Sequence, residues 1–194
     1  YVHENLDVKY LLGVPTADLR FEFSAGRDVL NFDSSYVGDS RDYRADQLGV
    51  LARYRLGSRT DLLMEYLNLD VKYDNTPLDF NGQPLNLDSN EDYLLTGIGW
   101  ELTAKTRGEI KVGHSARDYD TEDFSSSDFH WQAEVEWRPK TYSRFTLKTG
   151  RASQETYGSG LFVNSRTYDL TWNHNWTGYL KSELGGGVIE DDFE

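Results

Sequence analysis

The chain has 194 residues, of which 38% are hydrophobic and 14% aromatic, and its formal net charge of −13 excludes nucleic-acid binding, because phosphates would be repelled. It contains no cysteine, which excludes disulfides, thiolate metal sites and cysteine nucleophiles. No run of 18 or more apolar residues occurs, which excludes a membrane-spanning helix, but a strand that faces lipid needs an apolar residue only at every second position.

Ten strands are predicted from the alternation of apolar and polar residues with a period of two. In chain order they span 5–13, 17–32, 43–56, 60–74, 91–103, 107–120, 127–138, 143–155, 165–175 and 179–191. In the seventh strand Trp131, Ala133 and Val135 share one face. Gln132 and Glu134 share the other. We expect residues 1–194 to form one all-β segment without separate domains.

Short and long connections alternate along the chain. Short turns are predicted at 14–16, 57–59, 104–106, 139–142 and 176–178, and longer polar connections at 33–42, 75–90, 121–126 and 156–164. Outer-membrane barrels have short turns on the periplasmic side and long loops outside. We therefore expect the short turns to be periplasmic and the long, acidic loops to be extracellular. The acidic loops lack the ordered ligand spacing of a calcium site.

An aromatic residue occupies the last outward position before each short turn. These residues are Tyr10, Tyr54, Trp100, Trp137 and Trp172. A bilayer interface favours amphipathic rings at such positions, whereas a soluble β-sandwich has no reason to repeat them. The pattern predicts a membrane-interface girdle, and with it an antiparallel up-and-down transmembrane β-barrel.

The face opposite the aromatic rings carries charges of both signs, as expected for a wet barrel interior. The predicted lumen-lining residues are Arg53, Arg55, Glu65, Glu101, Glu109, Lys111, Gln132, Glu134, Glu136, Arg144, Lys148, Asp169, Lys181 and Glu183. Ten strands counted from a periplasmic first turn place both chain ends on the loop side, whereas barrels ordinarily keep them in the periplasm. We therefore expect an interior part of a barrel of twelve or more strands.

No catalytic or metal-binding arrangement is apparent. The histidines are His3, His114, His130 and His174, and none lies in a compact metal-binding spacing. Ser115 follows His114, but adjacent strand residues point to opposite faces and cannot form a nucleophile and base pair. The glycine run 185–187 lacks the Lys-Ser/Thr of a phosphate loop. We expect neither enzymatic activity nor a cofactor.

Three segments resemble a known family: WELTAKTRGEIKVGHSARDYD at 100–120, EWRPKTYSRFTLKTGRASQETYGSG at 136–160 and TYDLTWNHNWTGYLKSELGGGVIEDDF at 167–193. The family is the outer-membrane β-barrel group of exopolysaccharide and capsule loci, called putative β-barrel porin type 2 or EpsL-like. The resemblance extends over 91–193 and, in pattern, over 1–74. Family members are generally longer than this chain, which again suggests an internal piece.

The resemblance implies a Gram-negative outer-membrane barrel associated with polysaccharide export or surface assembly. Its implied partners are the lipid bilayer, lipopolysaccharide, the polysaccharide and other export proteins, and it brings no catalytic residues. Passage would be passive, with lumen charges selecting what enters. Two alternatives remain: a general diffusion porin, and a non-membrane surface β-protein with an adhesive or structural role.

Overall fold

A computed structural model of the chain describes residues 1–31, 42–75, 86, 88–119, 125–155 and 162–193. These residues form ten strands: β1 (Val2–Leu12), β2 (Leu19–Asn31), β3 (Tyr43–Gly57), β4 (Thr60–Tyr73), β5 (Ser89–Thr103), β6 (Thr106–Tyr119), β7 (Ser125–Lys140), β8 (Ser143–Glu155), β9 (Phe162–Asn175) and β10 (Lys181–Phe193). The ten predicted strands are therefore confirmed. The predicted long connections at 33–42, 75–90, 121–126 and 156–164 lie largely outside the described residues.

The first turn differs from the prediction at both of its ends. β1 ends at Leu12 and β2 begins at Leu19, so the connection is longer than the predicted 14–16. Gly13 has a φ of 109°, which glycine adopts readily because it lacks a Cβ. That conformation ends β1 one residue before the predicted boundary.

Each strand pairs antiparallel with the next one in the chain, from β1 to β10. The predicted all-β, up-and-down topology is therefore confirmed. Among the described residues no pairing joins β1 to β10, and β1 is exposed along its whole length. The parent barrel of twelve or more strands stays a prediction. No helix within the described ranges is long and apolar enough to cross a membrane.

Side chains on strands that are not neighbours meet across β5 and β6, as Glu65 on β4 meets Lys111 on β6, so the sheet bends there. Three successive inward-facing pairs each contain one glycine: Gly99–Glu109, Gly97–Lys111 and Leu95–Gly113. A Cβ on Gly97 would lie 2.0 Å from the carbonyl oxygen of Ile110, and one on Gly113 would lie 2.0 Å from that of Leu94. Glycine in a strand interior commonly marks such a corner, because two full side chains would collide there.

Apolar and charged side chains are distributed in the opposite way to a soluble protein. The exposed outer face includes Tyr10, Phe23, Leu48, Met64, Leu94, Ile98, Ile110, Leu147 and Leu170. Among the described residues, the buried apolar side chains are Leu51, Leu63 and Leu95, which alternation places on the inner face. Lys111 and Glu136, also on the inner face, are each only 5% exposed. An apolar exterior of this extent needs an apolar surrounding.

Candidate functional site: the charged inner face

A chain of hydrogen bonds and ion pairs crosses the middle of the inner face. Lys111 Nζ lies 2.6 Å from Glu65 Oε2 and 3.3 Å from Glu109 Oε1. Arg53 Nη2 donates to Glu109 Oε2 at 3.0 Å. Gln132 Nε2 donates to Glu65 Oε2 at 3.4 Å. The network joins β3, β4, β6 and β7, and its two cations balance its two carboxylates.

The bend explains why residues on non-neighbouring strands meet. Gly97 and Gly99 leave β5 without an inward side chain at two successive inward positions. The Arg53 guanidinium passes 3.5 Å from the place where a Cβ on Gly99 would lie, and Leu63 lies equally close to that point. Leu63 is fully buried, so the network lies over an apolar contact that excludes water.

A second cluster, at the short-turn end, surrounds Glu136 with three arginines. Arg138 Nε lies 2.5 Å from Glu136 Oε1, while Arg107 Nη2 and Arg144 Nε lie 3.0 and 3.6 Å from Oε2. The three arginines are part-exposed, whereas the Glu136 side chain is 7% exposed. One carboxylate cannot balance three guanidinium groups, so this cluster taken by itself carries a net positive charge.

A third cluster lies towards the loop end of the bend. Arg117 and Glu91, directly opposite each other on β6 and β5, form a 2.5 Å ion pair. Tyr93 donates its hydroxyl to Glu91 at 2.6 Å, and Arg117 donates to the hydroxyl of Tyr119 at 3.1 Å. The Tyr93 ring meets His130 edge-on, with centroids 5.1 Å apart. The Arg117 and Glu91 side chains are nearly buried in the bend, whereas His130 borders one of the inner-face cavities.

Two cavities open on the inner face. The larger, of about 550 Å³, lies at the short-turn end, and the other, of about 390 Å³, lies nearer the loops. Arg20, Arg53 and Arg107 line the first, whereas Lys111 and Lys148 line the second. Both are bordered by Glu109 and Glu134. Because the two cavities share these residues, they lie side by side along the strands, and together they are called the charged groove below.

Strand alternation places all fourteen predicted lumen residues on the inner face, in two groups that differ in exposure. Arg53, Arg55, Glu65, Glu109, Lys111, Gln132 and Glu136 are buried or half-buried. Glu101, Glu134, Arg144, Lys148, Asp169, Lys181 and Glu183 are exposed. Arg55 donates to the carbonyl oxygens of Thr16 and Pro15 at 2.9 and 2.5 Å, so it holds the first turn. That these residues line a pore stays a prediction.

Several charged side chains of the inner face are not among the predicted lumen residues. Arg20 and Asp61 form a 2.5 Å ion pair between β2 and β4, and Glu91, Arg117 and His130 belong to the bend. The same two-residue period that selected the predicted residues places these on the inner face as well. The described residues contain no group of three His, Cys, Asp or Glu side chains able to hold a metal ion.

Three aromatic rings form a continuous band at the short-turn end of β7, β8 and β9. Phe145 lies directly across from Trp137 on one side and from Trp172 on the other. Its ring stacks on both, with centroids 5.5 and 6.2 Å apart. Two of the five predicted girdle residues thus lie in one row of the sheet.

The other predicted girdle residues are displaced along the strands in one direction. Tyr10 lies in one row of the sheet with Val50 of β3. Tyr54 lies four residues nearer the short turns than Val50. Trp100 lies two residues nearer the short turns than the β5 residue in the row of Tyr54. Trp137 lies two residues nearer the short turns than the β7 residue in the row of Trp100. A drift of about one residue per strand corresponds to a strand tilt of roughly 35°. Their common height along a barrel axis stays a prediction.

An antiparallel meander with an apolar outer face and a charged inner face has the architecture of an outer-membrane β-barrel wall. Residues 16–194 match the family model described as "Putative beta-barrel porin 2". The chain therefore belongs to that family, and the predicted resemblance is confirmed. This membership makes it a porin-like β-barrel of the outer membrane. No curated protein matches the chain.

Proposed function

We propose that the chain forms part of a water-filled pore through which a polysaccharide, or its building units, crosses the outer membrane passively. The observation that carries this proposal is the charged groove of two adjacent cavities behind an apolar outer face. A polar solute in such a groove exchanges its hydration water for protein groups and lumen water, so it avoids the cost of entering lipid.

The buried and the exposed charges of the inner face have different roles. The buried ion pairs around Lys111 hold the bend of the wall. The exposed charges meet the solute, and three of them, Glu134, Lys148 and Asp169, lie in one row across β7, β8 and β9. Lys148 Nζ and Glu134 Oε2 are 3.4 Å apart. Because this pair is exposed, its net interaction energy is small and both groups remain open to a passing solute.

The inner face of β8 and β9 supports a sugar as the solute. Between the charged positions it carries the uncharged polar side chains of Thr146, Thr167, Thr171 and Asn173. Hydroxyl and amide groups donate and accept hydrogen bonds, so they match the hydroxyl groups of a carbohydrate. The link to exopolysaccharide or capsule export itself rests on the family resemblance of the sequence.

The orientation and the partners belong to the same proposal. The short turns face the periplasm and the long, acidic loops face the outside, as in outer-membrane barrels. The outer face contacts the bilayer and lipopolysaccharide, and export proteins meet the barrel at its ends. The pore has no catalytic activity, so the purified protein should turn over neither phospholipid nor lipopolysaccharide. Turnover abolished by changing a single histidine would contradict this.

Liposome swelling tests the function. The full-length protein is reconstituted into phospholipid vesicles, and swelling is compared in isotonic solutions of small sugars and of oligosaccharides. An export pore admits both, whereas a general diffusion porin admits only the small sugars. Absence of swelling with either would refute the pore. Recovery from cells in soluble form without detergent would favour the adhesive surface protein instead.

A further inference from the structure

Two arginines lie directly opposite each other on the outer face, where apolar residues prevail. Arg151 on β8 pairs in register with Arg166 on β9, and alternation places both side chains outward. The same row continues to Trp131 on β7 and to the exposed Glu190 on β10. Like charges directly across a strand pair destabilise a sheet unless an anion lies between them.

Arg151 has unused hydrogen-bonding capacity. Its Nε is buried and has no hydrogen-bond partner, and the same holds for Oγ1 of Thr149, the next outward residue on the strand. A buried donor without a partner costs free energy, which a rotation of the side chain towards a bound acceptor would recover. Arg166 makes a further interaction of its own. It contributes its positive charge to the pair.

The pair lies where the outer surface changes from apolar to charged. Below it, towards the short turns, the outward residues of β8 and β9 after Thr149 include the apolar Leu147, Leu170 and Tyr168. The arginine row lies six residues above the Phe145–Trp172 row, about 20 Å along the strands. At a strand tilt of roughly 35° this is about 16 Å of height above that row, from which a long arginine side chain extends along the wall towards the headgroups.

We propose that Arg151 and Arg166 bind the phosphate of an anionic lipid headgroup on the outer wall. Guanidinium groups hold phosphate oxygens through paired, charge-assisted hydrogen bonds. The Thr149 hydroxyl supplies another donor, and the Trp131 ring has the amphipathic character that the membrane interface favours. This inference rests on the proposed function, because it requires the outer face to contact lipid.

Native mass spectrometry of the full-length protein in uncharged detergent tests the site, with dioleoyl phosphatidic acid as the probe. The wild type should retain the lipid, and Arg151→Gln or Arg166→Gln should each weaken binding about tenfold, the loss of one charge-assisted hydrogen bond. Arg151→Lys should bind the lipid with an affinity between those of the wild type and Arg151→Gln, because lysine keeps the charge but lacks the planar guanidinium fork. Glu190→Gln should strengthen binding by removing the nearby carboxylate.

The matched control is Arg27→Gln. Arg27 is also an outward arginine, but it already donates two hydrogen bonds to Asp46, at 2.5 and 3.0 Å. Its replacement should leave retention of the lipid unchanged, and circular dichroism should show that all variants keep their strand content. A loss of lipid in Arg27→Gln as large as in Arg151→Gln would mean that general surface charge holds the lipid, which overturns the site.

Three further results would overturn the proposal: equal lipid retention by Arg151→Gln and wild type, equal retention of phosphate-free dioleoylglycerol, and displacement of the lipid by an equal concentration of inorganic phosphate. Liposome swelling by the wild type is measured in parallel. Lost swelling refutes the pore whatever the lipid result. Preserved swelling without a preference for the phosphate lipid refutes only the lipid site.

Discussion

The guanidinium of Arg53 on β3 donates a 3.0 Å hydrogen bond to Glu109 on β6, although β4 and β5 lie between these strands. In a flat sheet, strands three places apart are roughly 14 Å from each other. The contact therefore depends on the bend of the sheet and on the long arginine side chain. It also shows that the charged inner face helps to hold the curvature of the wall.

The bend should not tolerate a side chain at Gly97. Gly97→Val would place a Cβ 2.0 Å from the carbonyl oxygen of Ile110, so the strands must separate, and the free energy of unfolding should fall by about 2–4 kcal/mol. Urea unfolding of the full-length protein in lipid vesicles measures it. The control is Gly186→Ala on β10, where a Cβ meets nothing within 4 Å. Equal stability of the two variants would contradict the bend.

Lys111 should contribute strongly to stability through its carboxylate partners. Its side chain is 7% exposed and contacts both Glu65 and Glu109, so Lys111→Met leaves two half-buried carboxylates without this cation. We expect a loss of about 2–3 kcal/mol, less than for a fully buried pair because both carboxylates retain some contact with water. Lys148→Met, which removes a lysine with a 62% exposed side chain, should cost less than about 0.5 kcal/mol.

Removing the Glu65 carboxylate as well should restore part of the stability that Lys111→Met loses. In Lys111→Met combined with Glu65→Leu, one of the uncompensated carboxylates is gone, so the double variant should be more stable than Lys111→Met alone. The same urea titration measures this difference. If the two variants unfold at the same urea concentration, Glu65 is not the partner that makes Lys111 important.

Arginine should be tolerated very differently on the two faces of β7. Val135→Arg places a charge on the outer face, two residues from Trp137, and should cost about 1–2 kcal/mol in a bilayer, between the interface and midplane values, whereas Gln132→Arg places it among the inner polar groups and should cost much less. Unfolding in vesicles of the same lipid measures both. Equal costs at the two positions would show that the outer face does not contact lipid.

Ion selectivity should respond to the exposed inner charges and not to the buried ones. Glu134→Gln removes a negative charge from a side chain that is 50% exposed, so the reversal potential in a salt gradient should shift towards anion preference. Glu65→Gln, at the carboxylate held by Lys111, should shift it much less. Reversal potentials are measured in planar bilayers with the full-length protein. A larger shift for Glu65→Gln would place the lumen surface elsewhere.

The strands and their faces could be predicted from the sequence because both depend on a local property, the two-residue period of a β-strand. Trp131 and Gln132 fall on opposite faces whatever the neighbouring strands do. The strand ends depend on local backbone geometry that composition does not reveal. Gly13, with its φ of 109°, ends β1 at Leu12, one residue before the predicted end.

Tertiary structure alone decided which inner charges are buried. Glu134 and Glu136 share one strand and one face, yet their side chains are 50% and 7% exposed. Glu136 lies among three arginines from β6, β7 and β8, and Glu65 of β4 meets Lys111 of β6 across the bend. Such contacts depend on the register and curvature of several strands together. A two-residue period specifies only which face each side chain occupies, so it carries no information about these distances.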